Sequence, residues 1–324
     1  MRMFKNKLAE IVAGLFLVPI LFITNPAQPT TESRANQSQK VRTVTIPISI
    51  FTKREIKENQ TEEFVQAGNL FVREDGDEQT ILSIRSVSST PLAIAVLIQD
   101  DLTGSVNLQL DDIRKFIRGL PQGSRVLVGY LRGGTLQIRQ KFTEDLERAA
   151  KSVRIVAGST AFSSSNPYEQ LEEALKRFDA LPSGRRAVLF VSDGLDTSRG
   201  FESSSPSQNL NLERAISKAQ RKSIAVYSFY NASGLTESGN SIFALNGQGS
   251  LNRLSEETGA RAFFQGISSP ISFEPFFRDL NAALNRQFAL TYLSTHFKKG
   301  FHKIKVSSTN PDVRIEHPQG YFYR

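Results

Sequence analysis

The stretch Leu92-Ala93-Ile94-Ala95-Val96-Leu97-Ile98-Gln99-Asp100-Asp101-Leu102-Thr103-Gly104-Ser105 decides how the chain folds. It opens as an apolar run with no polar alternation, the pattern of a strand buried on both faces of a parallel sheet. The run stops at two acids and continues into hydroxyl and turn residues. In open α/β sheets, ligands sit outside the carboxyl ends of the strands, which is where this run ends. The side chains gathered there are hard oxygen donors, which suit Mg²⁺, Ca²⁺ or Mn²⁺.

Outward from that strand, residues 91–287 alternate strands with helices, the signature of an α/β unit with a mainly parallel sheet. Residues 107–118 form an amphipathic helix with Leu108, Ile113, Phe116 and Ile117 on its apolar face. Strands over 125–132 and 135–142 are joined by Gly133-Gly134, a tight turn that makes the pair antiparallel and places the second strand at an edge. Helices are expected over 143–153, with Thr143 as N-cap, and over 167–181 and 210–221. A strand over 186–192 ends at Asp193-Gly194, and another spans 224–229. Residues 231–249, rich in Gly, Ser and Asn, read as a long loop of the kind that often carries function. A helix over 251–258, a short strand over 262–264 and a last helix over 273–286 complete the unit.

Both flanks are β. In residues 41–90, Val44, Ile46, Ile48 and Ile50 alternate on one face, and Pro47, which cannot donate to a ladder, places that strand at a sheet edge. Strands over 70–73 and 80–84 are linked by Glu74-Asp75-Gly76-Asp77. Residues 288–324 hold strands over 288–294, 302–307 and 313–316, with turns at Lys298-Lys299-Gly300 and Asn310-Pro311. The flanks are expected to form one small β module, with the doubly wound α/β unit inserted between them.

Residues 1–27 have a basic start, an apolar core over 11–23 and Ala27 as a cleavage point, and read as a signal peptide. That core is short for a membrane span, so membrane attachment is expected only if the segment is not cleaved. Polar residues 28–40 read as a linker. The expected location is secreted, periplasmic or in the cell envelope. The chain has 324 residues, a net charge of +8 and no Cys. That excludes disulfides, thiol nucleophiles and zinc–thiolate sites. Removing residues 1–27 leaves a net charge of +6. Basic residues are interleaved with acids rather than striped with aromatics, which argues against nucleic-acid binding.

The paired acids allow two registers. Counting from Asp100, the residues two and four further on are Leu102 and Gly104, which offer no side-chain ligand. Counting from Asp101 they are Thr103 and Ser105, so that only this register gathers three oxygen side chains in one loop. The bland alternative is that Thr103 and Ser105 cap the following helix and that Asp193-Gly194 is a turn. Asp196 and Thr197 are expected to shape the loop after Asp193 rather than to ligate. No Gly-x-Gly-x-x-Gly or phosphate-cradling loop follows the first strand. All three histidines, His296, His302 and His317, fall in the terminal β segment, far from the hydroxyls. They are read as strand-surface or packing residues, since their spacing is not that of a closed zinc site.

Asp101, Thr103 and Ser105 resemble the first element of the metal-ion-dependent adhesion site of von Willebrand factor A-type (VWA) domains, with Thr in place of the usual first Ser. Gly158-Ser159-Thr160-Ala161 resembles the second loop of that site, with Thr160 matching, and Val191-Ser192-Asp193-Gly194 the third, with Asp193 matching. The lead-in with Glu74-Asp75-Gly76, the Glu257-Thr258-Gly259 segment and the ending Gly320-Tyr321-Phe322 are similar to the exported bacterial VWFA-related family described from Acidobacteria, for which an architecture but no established activity is implied. The resemblance implies a non-enzymatic binding protein that holds Mg²⁺, with Mn²⁺ and Ca²⁺ as alternatives, at Asp101, Thr103, Ser105, Thr160 and Asp193. Its expected partner is a protein that presents a Glu or Asp to the metal. A metal-dependent hydrolase and an envelope protein with a vestigial site are the alternatives. Partner identity, oligomeric state and the role of Asp100 are left open by the sequence.

Overall fold

The computed structural model describes residues 40–52, 69–158, 166–182, 184–237 and 241–323. The expected signal segment, most of the linker and Thr160 lie outside these residues. The described chain is mixed α/β, and its central sheet is mixed with mostly parallel strands. That sheet contains β4 (Leu92–Gln99), β5 (Arg125–Arg132), β6 (Thr135–Thr143), β7 (Arg185–Ser192), β8 (Ala225–Tyr230) and β9 (Ala262–Phe263), in the order β6-β5-β4-β7-β8-β9. Only β6 runs antiparallel, at one edge, because the Gly133-Gly134 turn returns it directly onto β5.

Alternate residues of the buried strands serve two cores. Ile94, Val96 and Ile98 face α1 (Leu110–Arg118) and α2 (Leu146–Lys151), whereas Ala95 and Leu97 face α3 (Pro167–Lys176) and α4 (Leu210–Arg221). α5 (Ser241–Glu257) covers the second face as well, and α6 (Glu274–Asn285) the first. This helix–sheet–helix layering explains why β4 carries no polar alternation. Phe229 on β8 is a hub, with the rings of Phe263, Phe273, Phe276 and Phe277 all within 5.4 Å of its centroid.

A second sheet contains β1 (Arg42–Thr52), β2 (Leu70–Glu74), β3 (Asp77–Ser86), β10 (Gln287–Ser294), β11 (Gly300–Ser308), β12 (Val313–Glu316) and β13 (Gly320–Tyr323), in the order β12-β1-β10-β3-β2-β11-β13. The reading of β1 as an edge strand is corrected, because it has neighbours on both sides. β12, however, pairs only with Ser49–Thr52, so the flank of Pro47 away from Ala289 is unpaired and its missing N–H costs no ladder bond. Arg185, at the start of β7, ties the two sheets together. Its guanidinium donates to Gln287 Oε1 (2.8 Å) and to the carbonyls of Ser88 (3.0 Å), Thr90 (3.0 Å) and Leu284 (2.7 Å).

Two further local expectations are corrected. Residues 241–249 are helical rather than part of a loop, despite Gly247 and Gly249, and run on into the helix expected over 251–258. The N-cap of α2 is Asp145, whose Oδ1 accepts from the Arg148 amide (2.9 Å), while Thr143 accepts from the Asp145 amide.

Candidate functional site

The first two acids after β4 have different surroundings. Asp100 has no exposed side-chain surface, and Arg154 grips it with two bonds, Nη1 to Oδ1 at 2.8 Å and Nη2 to Oδ2 at 2.9 Å. Arg132 adds a contact at 3.3 Å, and the Ala157 amide donates to Oδ1 at 3.2 Å. Burial pushes the Asp100 carboxyl up, but Arg154, the Ala157 amide and Arg132 together hold it below its ordinary value. The Gly158 amide also donates to the Asp100 carbonyl (3.1 Å). Asp100 therefore fastens the segment that leads towards Thr160 to the end of β4. Its charge is spent internally.

Among the described residues, Asp101 has no such cation. Burial raises its carboxyl above the usual range, and the charge of Asp100 adds to the rise. Asp193, at the carboxyl end of the neighbouring parallel strand β7, is 2% exposed. Burial, and then the charge of Asp101, push it from 3.8 up to about 6. Two aspartates thus share one strand-end edge without a basic partner among the described residues, which places negative charge where the crevice of an open α/β sheet lies.

The hydroxyls of Thr103 and Ser105 lie 2.7 Å apart. Thr103 makes no side-chain cap bond, although a 3₁₀ turn over Gly104–Gln109 follows it, so the capping alternative is not realised at this residue. The turn alternative holds in part for Asp193, because its Oδ1 accepts from the Leu195 amide (3.0 Å). Asp196 shapes the loop, accepting from Ser198 and from Asn211 Nδ2 (2.8 Å).

A third loop, after β8, joins the edge. The Thr103 amide donates to the Ala232 carbonyl (2.9 Å), and Leu102 bridges Ser233. Asn231 is fully buried, and its Oδ1 accepts from Ser269 Oγ (3.2 Å), which lies 3.4 Å from Thr103 Oγ1. Gln99 Oε1 accepts from Ser192 Oγ (2.6 Å) and from the Asp193 amide (3.2 Å), locking β4 to β7 directly below the carboxylates. The amide nitrogens of Gln99 and Asn231 are buried without hydrogen-bond partners. The sequence reading missed Gln99, Asn231, Ser233 and Ser269. Gln99 and Asn231 carried a usable signal, since each is a polar residue at the end of an apolar strand.

Glycines let a helix reach this edge. A Cβ on Gly247 of α5 would lie 2.0 Å from the Asp193 carbonyl oxygen, and one on Gly194 would lie 2.3 Å from the Gly247 carbonyl oxygen. Gly194 also has φ +70°, a conformation that favours glycine. Tyr168 on α3 donates its hydroxyl to the Gly194 carbonyl (2.6 Å), so the Asp193 turn is clamped from two helices.

No protein-family model matches the chain, and no curated protein does. Solved structures to which it is similar include the conserved hypothetical protein BatB of Bacteroides thetaiotaomicron, at 17% identity over 43% of this chain and 65% of that one, with a TM-score of 0.33. The chain thus spans a little under two thirds of BatB's length. Manganese-loaded TRAP of Plasmodium vivax is 12% identical over 75% of this chain and all of that one, with a TM-score of 0.40. The VWA domain of SpRpn10 is 13% identical over 56% of this chain and 97% of that one, with a TM-score of 0.37. No helix among the described residues is long and apolar enough to cross a membrane.

Proposed function

We propose that the chain is an exported, non-enzymatic binding protein of the VWA type, which captures an acidic group of a partner protein on a divalent cation. Asp101, Thr103, Ser105 and Asp193 hold the cation, together with Thr160 from the loop beyond Gly158. The observation that carries this reading is the contrast between neighbouring acids. Asp100 is neutralised by Arg154 and Arg132, whereas half-buried Asp101 and buried Asp193 each have a raised carboxyl and, among the described residues, no cation of their own. A dication would relieve that repulsion. The donor set, two carboxylates and three hydroxyls, fits Mg²⁺, which keeps several waters and needs few protein ligands. Mn²⁺ and Ca²⁺ accept the same donors.

Two carboxylates only balance the ion's charge, which leaves room for a Glu or Asp of the partner to complete the shell. No histidine stands at this edge to act as a base, which favours binding over hydrolysis. Export rests on the sequence of residues 1–27, and the resemblance to the Acidobacteria family supports the same location.

The test is thermal unfolding of the chain in EDTA, Mg²⁺, Mn²⁺ and Ca²⁺, beside Asp101→Ala and Asp193→Ala. A ligand that binds only the native state raises stability by about 2.7 kcal/mol at a hundredfold excess over its Kd. The expected result is a cation-dependent rise in Tm that both variants lose. A well-folded chain indifferent to all three cations refutes the mechanism.

A further inference from the structure

The far sheet carries a second cluster of donors. Glu74 and Asp75 end β2 and open the turn into β3, Asp77 begins β3, and His296 follows β10, two strands away from β2. Ligand atoms of Glu74, Asp75 and His296 all lie within 4.8 Å of one another. Glu74 has no exposed side-chain surface. Its Oε1 accepts from Tyr321 Oη (2.7 Å) and from Arg42 Nη2 (3.2 Å), while its Oε2 is buried with no partner. His296 Nε2 sits 3.1 Å from Asp77 Oδ2, and its Nδ1 is likewise buried, without a hydrogen bond, 3.9 Å from Glu74 Oε1.

One cluster thus holds a buried carboxylate oxygen, Glu74 Oε2, and a buried ring nitrogen, His296 Nδ1, neither of them partnered, which is costly for groups that normally find hydrogen bonds. We propose that Glu74, Asp75 and His296 form a site for a transition-metal dication of the Zn²⁺ class, separate from the carboxyl edge of the α/β sheet.

The surroundings match what such an ion requires. A ligating imidazole usually donates its other N–H to a carboxylate, which fixes the tautomer and raises the basicity of the ligand nitrogen, and Asp77 stands in that place for His296. The carboxylate ligands are oriented in turn. Asp75 Oδ1 accepts from the Lys303 amide (2.8 Å), and its Oδ2 lies 2.8 Å from His302 Nδ1, whose ring is set by Nε2 at 2.6 Å from the Lys298 carbonyl. Among the described residues, the carboxylates of Glu74, Asp75 and Asp77 stand against the guanidinium of Arg42 and the imidazoles of His296 and His302, so with the imidazoles neutral, as ligation requires, a dication complements the charge. One imidazole nitrogen with two carboxylates favours Zn²⁺ and its neighbours over Mg²⁺ or Ca²⁺, which prefer all-oxygen shells. Three protein ligands leave a coordination position for water or for a group from outside.

The experiment is calorimetric titration of Zn²⁺ into the full chain after chelator stripping, with Co²⁺ visible absorption as a second readout. One Zn²⁺ is expected to bind at micromolar Kd or tighter, and the Co²⁺ complex to show d–d bands. Asp193→Ala leaves both unchanged, which separates this site from the one at the α/β edge. His296→Ala abolishes both, and Asp77→Asn weakens binding by about tenfold or more, the usual effect of losing an outer carboxylate. His296 is 22% exposed, so its loss is compatible with folding, and circular dichroism of the variant confirms that. Absence of Zn²⁺ binding, binding that survives His296→Ala, or displacement by millimolar Mg²⁺ overturns the proposal.

Discussion

Asp193→Asn is expected to stabilise the cation-free chain at neutral pH while ending its response to divalent cations. Asp193 is 2% exposed, and its carboxyl is pushed up from 3.8 to about 6. A raised carboxyl works against folding where it must ionise. Below the unfolded value, at about pH 4, the folded and unfolded chains are both protonated and there is no penalty. The penalty grows as pH rises through about 6 and is constant above it. At about 1.4 kcal/mol per pKa unit it reaches about 3 kcal/mol at pH 8. An asparagine removes that charge and keeps an oxygen to accept from the Leu195 amide. Its new NH₂ must find a partner in a buried place, which returns part of the gain and leaves about 1–2 kcal/mol. For a chain of this length that corresponds to a Tm higher by about 2–4 °C at pH 8. Calorimetry of both proteins in EDTA from pH 4.5 to 8 checks this, because the contributions of groups that do not interact with Asp193 cancel in the difference, while relief of its repulsion with Asp101 acts in the same direction. The difference should shrink towards pH 4.5, and Mg²⁺ should raise only the parent chain. A variant no more stable at pH 8, or a difference independent of pH, refutes the reasoning.

Asp100→Asn should cost about 2 kcal/mol at pH 7, the worth of charged hydrogen bonds to Arg154 and Arg132. Because the Asp100 carboxyl is held below its ordinary value, that contribution is present above the unfolded pKa and is lost as pH falls through the folded one, so urea titrations of parent and variant should converge in acid. Gly247→Ala puts a Cβ against the Asp193 carbonyl and should destabilise by about 3 kcal/mol, with weaker cation binding in the same preparation. Phe229→Ala empties the centre of five packed rings and should cost about 3–5 kcal/mol in chemical denaturation, without altering the cation Kd once corrected for the folded fraction.

The parts of the fold that depend on local pattern were legible in the sequence. The unbroken apolar runs of β4 and β7 announce burial on both faces, and the Gly-Gly turn announces the antiparallel β6. What depends on distant partners was not legible. Asp100 and Asp101 are adjacent and chemically identical, and only Arg154, 54 residues away, separates the anchoring acid from the one left without a cation. The first half of the helix over Ser241–Glu257 was hidden because Gly247 serves close approach to the Asp193 turn rather than helix propensity, so tertiary packing overrides the local signal. His296 was read as a surface or packing residue because Asp77 is 219 positions earlier, a distance over which spacing carries no information.

The pairing of β1 with β10 has a mechanical consequence. β1 and β10 run antiparallel from Arg42↔Ser294 to Ser49↔Gln287, and β10 joins the α/β unit at its Gln287 end. Tension pulling on the chain at Lys40 and resisted at the α/β edge therefore enters β1 at one end of this ladder and leaves β10 at the other. The strands are loaded in shear, and their hydrogen bonds must yield together rather than one by one. A load applied in this direction must break the whole β1–β10 ladder at once before the two strands part.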